Sequence, residues 1–276
     1  MRWRIPFAGL MLLGALCRCA SGAEAIPLWF PVGEELEYRV YWGRIPVGTC
    51  TVTTGWVEDG GRRLIFIRYR SQSNHVLSKL YPVDDLLETT IDPATFLPVR
   101  YSKHLSEGRH RADELTTFDY TKRLAIWTSF TKNRHKEIPL QPDTRDLIAF
   151  TYFVRQTALQ TGDKKQFQVL SDNKIYDLMV QVGPLETVRT PEYGPVPSLR
   201  LDPEAAFQGL FVSKGKVTLW VTPDDPRLVT KIEGTVPVAS IRVLLVDVRG
   251  PGAAEWQRRV KTANGGAGDE PAAATD

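Results

Sequence analysis

Residues that carry chemistry are scarce in this chain. Its 276 residues include three cysteines, four histidines and three methionines. The histidines, His75, His104, His110 and His135, are dispersed, and no His-Glu-x-x-His is present, so zinc-ligand spacing is missing. There is no Gly-x-Ser-x-Gly elbow and no glycine-rich phosphate loop closing in Lys-Ser or Lys-Thr. The adjacent acids Asp84-Asp85 and Asp224-Asp225 fall at expected strand ends, where neighbouring side chains diverge. Carboxylate-pair hydrolysis needs two acids converging in a cleft, and turn chemistry accounts for both pairs. Charge of one sign is lacking too: 35 basic and 32 acidic residues leave a formal charge of +3. With no long basic run or RNA-binding aromatic motif, that balance argues against nucleic acid. No catalytic residue, metal or cofactor is expected from these residues, and the protein is expected not to be an enzyme.

Long apolar runs are also rare. The main one lies at the N-terminus, where Arg2 and Arg4 precede an apolar stretch from Ile5 to Leu16. Ser21-Gly22-Ala23 and Ala23-Glu24-Ala25 follow, both of small-x-small type. This pattern predicts a signal peptide over residues 1–23, cut after Ala23 or Ala25. The run is shorter than the ~20 residues a membrane span takes, and no later stretch qualifies. A periplasmic or otherwise exported chain, soluble after cleavage, is expected. Leu16 before Cys17 and Arg18 before Cys19 both depart from the small residue that precedes the cysteine of a lipoprotein signal, so no lipid anchor is expected. Cys50 then stands alone, without an intramolecular disulfide partner, and reads as a buried hydrophobe on a strand face.

What the chain does have is alternation. Leu36, Tyr38, Val40 and Trp42 share one side of an extended segment, with Glu37 and Arg39 on the other. Residues 43–46 break the pattern, and Cys50, Val52, Thr54 and Trp56 resume it, giving a hairpin. Further strands are predicted over 63–71, 84–91, 97–105, 112–120, 123–130, 166–170, 175–182, 186–190, 196–201, 216–222, 228–236 and 238–248. Residues 92–95, 191–197 and 223–226 are turns or loops rich in proline and aspartate. One strong helix is expected over 143–159, with Asp143 as N-cap, Asp146 in the first turn and an interior apolar around most of its circumference. Gly, Ala and charged residues without period follow Gly250, so residues 250–276 read as a disordered tail. A hydrophobic fraction of 42% suffices for one β-rich domain over 24–249. The expected fold is mainly β: a strongly curved antiparallel sheet, or unclosed barrel, of about a dozen strands wrapped around the one apolar helix. Two stacked sheets with the helix at one end are the alternative.

Two features point to binding. The aromatic residues Trp42, Trp127, Phe150, Tyr152 and Phe153, together with Trp56 and Trp220, are candidates to line an apolar pocket in the concave face; core packing is the competing explanation. Between Arg100 and Lys136 nine Lys or Arg face four Asp or Glu, with three His. Such a segment suits anionic lipid or polysaccharide, or is simply the outward face of alternating strands.

Several blocks in order also resemble an exported bacterial family, domain of unknown function 3108. They are Gly33-Glu34 with Tyr38, Trp42-Gly43 and Pro46-Val47-Gly48; then Pro82-Val83-Asp84-Asp85, Ile91-Asp92, Phe96-Leu97-Pro98 and Phe118-Asp119. Asp146-Leu147, Tyr152 and Val154-Arg155 resemble its helix, and Gly209-Leu210-Phe211, Gly215-Lys216, residues 219–222, Asp224-Asp225 and Arg227 its closing block. The chain departs at Leu228-Val229 and Ala239-Ser240-Ile241, where the family tends to Pro-Val and Gly-Ser-Ile. The resemblance implies an exported protein without assigned catalytic residues. A curved sheet around a helix is also similar, at the level of fold alone, to periplasmic lipoprotein carriers. Two functions remain open: binding of an apolar or lipid-like ligand in the curve of the sheet, and an interaction or scaffold module with an envelope protein partner.

Overall fold

In a computed structural model the structure describes residues 28–171, 173–204, 217–235 and 240–265; the expected signal peptide lies outside them. The strands are β1 (Glu35–Trp42), β2 (Ile45–Asp59), β3 (Arg62–Ser73), β4 (Asp84–Ile91), β5 (Pro98–Glu107), β6 (His110–Asp119), β7 (Leu124–Ser129), β8 (Arg134–Pro139) and β9 (Arg145–Asp146) in the first half. Helix α1 (Leu147–Gln156) follows, then β10 (Lys164–Ser171), β11 (Lys174–Thr190), β12 (Gly194–Glu204), β13 (Val217–Val221), β14 (Val229–Thr235), β15 (Ser240–Arg249) and helix α2 (Ala253–Gly265).

The fifteen strands among the described residues join one sheet, ordered β8-β7-β6-β5-β4-β3-β2-β1-β15-β14-β13-β12-β11-β10-β9. It is one large unclosed sheet, not two stacked ones. Neighbours in sequence are neighbours in the sheet at every step except β8 to β9, while the first strand pairs antiparallel with the last, Glu35 opposite Arg249 and Trp42 opposite Ile241. Only β9, two residues long, runs parallel to its partner β10. The two edges are unattractive to further strands. β8 reads Arg-His-Lys-Glu-Ile-Pro with only Ile138 buried, and charge plus proline is the usual protection of an exposed edge.

Local chemistry explains the elements. Gly33, at φ 102°, turns the chain ahead of β1. Gly48 is required by a close approach: a Cβ there would sit 2.2 Å from the Gln72 carbonyl oxygen across the β2–β3 pair. Leu64, Ile65 and Ile67 are buried as expected of an interior strand. Pro195 and Pro197 lie inside β12, where residues 194–198 pair with β11 but only 199–201 pair with β13, so the missing N–H costs no ladder bond on that side. This is why the loop expected at 191–197 is strand from Gly194 onward.

Two further expectations need correction. The helix is shorter than 143–159 and its cap is Asp146, not Asp143: the Asp146 carboxylate accepts from the backbone N–H groups of Ile148 (2.8 Å) and Ala149 (3.0 Å). Residues 145–146 are held extended against Val169 and Leu170, and helical geometry begins after them. Within the stretch expected as a disordered tail, residues 253–265 form α2; residues 266–276 lie outside the described residues. Trp256 of α2 is buried edge-on against Tyr193, with ring centroids 5.5 Å apart. Arg259 donates to the carbonyl of Asp225 (2.8 Å), and Asn264 to that of Tyr193 (2.8 Å).

The buried side chains form two groups. One joins β1–β8, Leu170 of β10, Val196 of β12, Leu245 and Val248 of β15, part of α1 (Ile148, Ala149, Tyr152) and α2 (Trp256, Val260). The other joins β10–β14 to Phe150 and Val154 of α1. The helix thus packs against both halves of the sheet.

Candidate functional site

Helix α1 is tied at both ends by residues distant in sequence. At its start, Thr89 of β4 donates to Asp146 at 2.6 Å. Burial pushes the Asp146 carboxyl up to about 6, against the pull of these hydrogen bonds. At its end, Arg155 forms a bidentate pair with Glu34 (2.7 and 2.9 Å), and both side chains are almost wholly buried. Tyr152 donates to the same carboxylate at 3.0 Å, and Arg155 Nε reaches the Arg227 carbonyl. Burial alone would lower the Arg155 guanidinium; the Glu34 carboxylate more than offsets this and raises it. Arg227 returns the contact, donating to the carbonyls of Thr157 (2.6 Å) and Arg155 (3.3 Å), which satisfies orphan carbonyls at the helix C-terminus. Glu34, Asp146, Tyr152, Arg155 and Arg227, all within the blocks noted above, therefore fix the helix and are spent on one another.

Fixed this way, α1 leaves an apolar cavity of about 390 Å³ between itself and the sheet. Leu147, Ile148 and Thr151 form the helical wall; Tyr38 and Val40 of β1, Tyr69 of β3 and Ile232 and Val243 of β14 and β15 face them. The few polar groups are mostly occupied. The Tyr38 hydroxyl donates to the Val229 carbonyl (3.1 Å), and those of Tyr69 and Thr151 share a hydrogen bond of 3.2 Å. Burial raises both tyrosines and lifts the Cys50 thiol to about 11, so the cavity wall is uncharged there at neutral pH. Cys50 is a buried free thiol. Glu107 also lines the cavity, and burial raises the neighbouring Asp85 to about 6.

None of the five aromatic candidates is among the described residues lining this cavity. Trp42 is half exposed at the end of β1. Trp127 is buried on β7, donating to Glu114 at 3.2 Å. Phe150 packs edge-on against Phe167, centroids 5.1 Å apart, and Tyr152 belongs to the Glu34–Arg155 network. Phe153 carries the Arg145 guanidinium 3.6 Å above its ring. Phe150 and Phe153 do line a separate, smaller pocket of about 180 Å³ beside Arg145. Phe150 and Phe153 thus meet at that pocket, whereas Tyr152 faces the Glu34 network and Trp42 and Trp127 lie elsewhere. Leu147, Tyr38 and Tyr69 escaped the sequence reading because an inward strand residue looks the same whether it meets a packed core or a void. Among the described residues no group of His, Cys, Asp or Glu is arranged to hold a metal ion, and no helix is long and apolar enough to cross a membrane.

A single unclosed antiparallel sheet, with two α-helices among the described residues and an apolar cavity at one of them, defines the class as a β-barrel-like protein. Within it, the chain belongs to the family described as protein of unknown function DUF3108, whose model matches residues 37–246. It is also similar in fold to a solved structure titled a beta-barrel-like protein of domain of unknown function DUF1849 from Brucella abortus. That likeness has a TM-score of 0.53 at 11% identity, over 81% of this chain and 98% of the other. No curated protein matches the sequence.

Proposed function

We propose that this is an exported, non-enzymatic envelope protein whose sheet curves around α1 and holds an apolar, lipid-like ligand between the two. The observation that carries the reading is the 390 Å³ cavity. Ligand sites commonly occupy about 300–1,000 Å³ and are mainly apolar with a few placed polar groups. An apolar void resists filling by water, and an empty one costs stability roughly in proportion to its volume. A ligand with an acyl chain or a comparable apolar body suits those dimensions. Packing of α1 against both halves of the sheet supports the curved arrangement, and the run from Ile5 to Leu16 supports export. The scaffold alternative is weakened at one point: the charged β8 and the two-residue β9 make poor templates for strand addition.

The test is native mass spectrometry of the protein purified from an exporting host, with organic extraction of whatever is bound. A stoichiometric apolar mass is expected. A protein that comes out empty, and stays empty when offered fatty acids and phospholipids, overturns the reading.

A further inference from the structure

Three turns lie side by side at the end of the sheet that also carries the turn at 130–133: residues 43–44 between β1 and β2, 74–83 between β3 and β4, and 108–109 between β5 and β6. They are stitched into one surface. Asn74 donates its side-chain amide to the Pro46 carbonyl (2.6 Å) and its backbone N–H to that of Val47 (2.8 Å). Gly108 N–H reaches the Pro82 carbonyl (2.7 Å), and Gly43 N–H that of Ser240 (2.8 Å) at the start of β15.

Among the described residues, six of the ten exposed large hydrophobic side chains stand on or beside these three turns: Trp42, Ile45, Val76, Leu80, Tyr81 and Ile241. Leu80 is 86% exposed, Val76 74% and Ile45 66%. Scattered apolar residues need no explanation, whereas a cluster on stitched turns does. The charges borne by these turns, Arg44, Lys79 and Arg109, are all positive, and no Asp or Glu occurs in them. Trp and Tyr beside aliphatic residues and cations are the side chains favoured at a membrane–water interface. The surface also runs into the cavity, because Ile241 belongs to both.

We propose that this rim docks on an anionic lipid surface, with Ile45, Val76 and Leu80 entering the headgroup boundary and Arg44, Lys79 and Arg109 meeting the lipid phosphates. Only the continuity with the cavity rests on the ligand reading; the exposed side chains and the charges stand apart from it. Shallow apolar insertion and electrostatic attraction add in such binding.

Co-sedimentation of the purified protein with phosphatidylglycerol vesicles tests this, with phosphatidylcholine vesicles as the uncharged comparison. Binding to the first is expected to exceed binding to the second and to weaken as salt is raised. The double variant Ile45→Glu/Leu80→Glu changes only exposed positions and is expected to fold, while its vesicle partition falls about tenfold or more. Ile126→Glu/Leu185→Glu, exposed within β7 and β11 and away from these turns, is expected to bind as wild type does. Uptake of a fluorescent fatty acid, measured without vesicles, separates this proposal from the ligand reading: the rim variant keeps uptake if the cavity reading holds, whatever the vesicles show. Failure of wild type to sediment with phosphatidylglycerol, equal binding by the rim variant, or an equal loss in the Ile126/Leu185 variant overturns the proposal. So does light scattering in which wild type is dimeric and the rim variant monomeric, which would make the rim a contact between copies.

Discussion

Gly234 offers a direct way to close the cavity from within. It lies on β14 opposite Val217 and Ile241, and its Cβ would share the face of Ile232, which lines the void. A Cβ built there meets nothing within 4 Å, and its φ is not in the left-handed region. Gly234→Val therefore adds an apolar, strand-favouring side chain to empty space. Restricting the unfolded chain contributes about 0.4–1 kcal/mol, and burying roughly half of a valine side chain about 1 kcal/mol, so the ligand-free protein should gain about 2 kcal/mol. For a domain of this size that corresponds to a rise of about 4–8 °C in Tm. Gly234→Phe, with a much larger side chain, fills more of the void. Calorimetry of the delipidated protein and titration with a fluorescent fatty acid form the assay. Affinity should fall from glycine to valine to phenylalanine while Tm rises at valine. A lower Tm for the valine variant would mean that the space is not available to a side chain. Undiminished fatty-acid affinity in the phenylalanine variant would mean that the ligand, if any, binds elsewhere.

Other consequences follow from the ties on α1. Asp146 has a folded pKa of about 6, above the 3.8 of the unfolded chain. Its contribution is fully present below pH 3.8 and lost as pH rises through 6, so Asp146→Asn should gain stability relative to wild type across that window. The amide can still cap Ile148 and Ala149, and chemical denaturation at pH 4 and pH 7 measures the difference; a pH-independent difference contradicts it. Glu34→Gln strands the buried Arg155 charge and should cost about 3–5 kcal/mol, whereas Glu34→Leu/Arg155→Met should cost less than the two single changes summed. A double-mutant cycle in urea reads this directly, and additivity would refute the pair's coupling. Trp256→Ala should lower stability by about 3–5 kcal/mol; an unchanged midpoint would mean that α2 does not dock.

The strand order was accessible from alternation and turns because nearly every sheet neighbour is also a chain neighbour. What escaped was set by tertiary context. β8 carries almost no apolar residue, so a strand defined by its partner β7 left no pattern of its own. The 253/256/260 spacing of Ala253, Trp256 and Val260 is a helical signal, but three apolar positions in a charged, glycine-bounded segment are too few to outweigh composition. Asp143 and Asp146 are both good caps by residue type; only the pairing of 145–146 with β10 decides between them. The candidate cavity was least legible, since the aromatic residues that attracted the reading are largely consumed by packing, and the smaller residues around the void carry no distinguishing mark.

The pairing of β1 with β15 has a consequence for how the molecule is made. A chain emerging N-terminus first can zip β1 to β8 from local hairpins, and later β10 to β14, as two separate meanders. Each has an open flank until the last strand arrives to bridge them. The long-range closure costs loop entropy that local pairing avoids, so joining the halves should be the slow, final event. Before it, Tyr38 and Val40 on one flank and Val229 and Ile232 on the other belong to different halves. The two sides of the cavity wall exist beforehand, but the cavity itself is completed only when the C-terminal strand locks in.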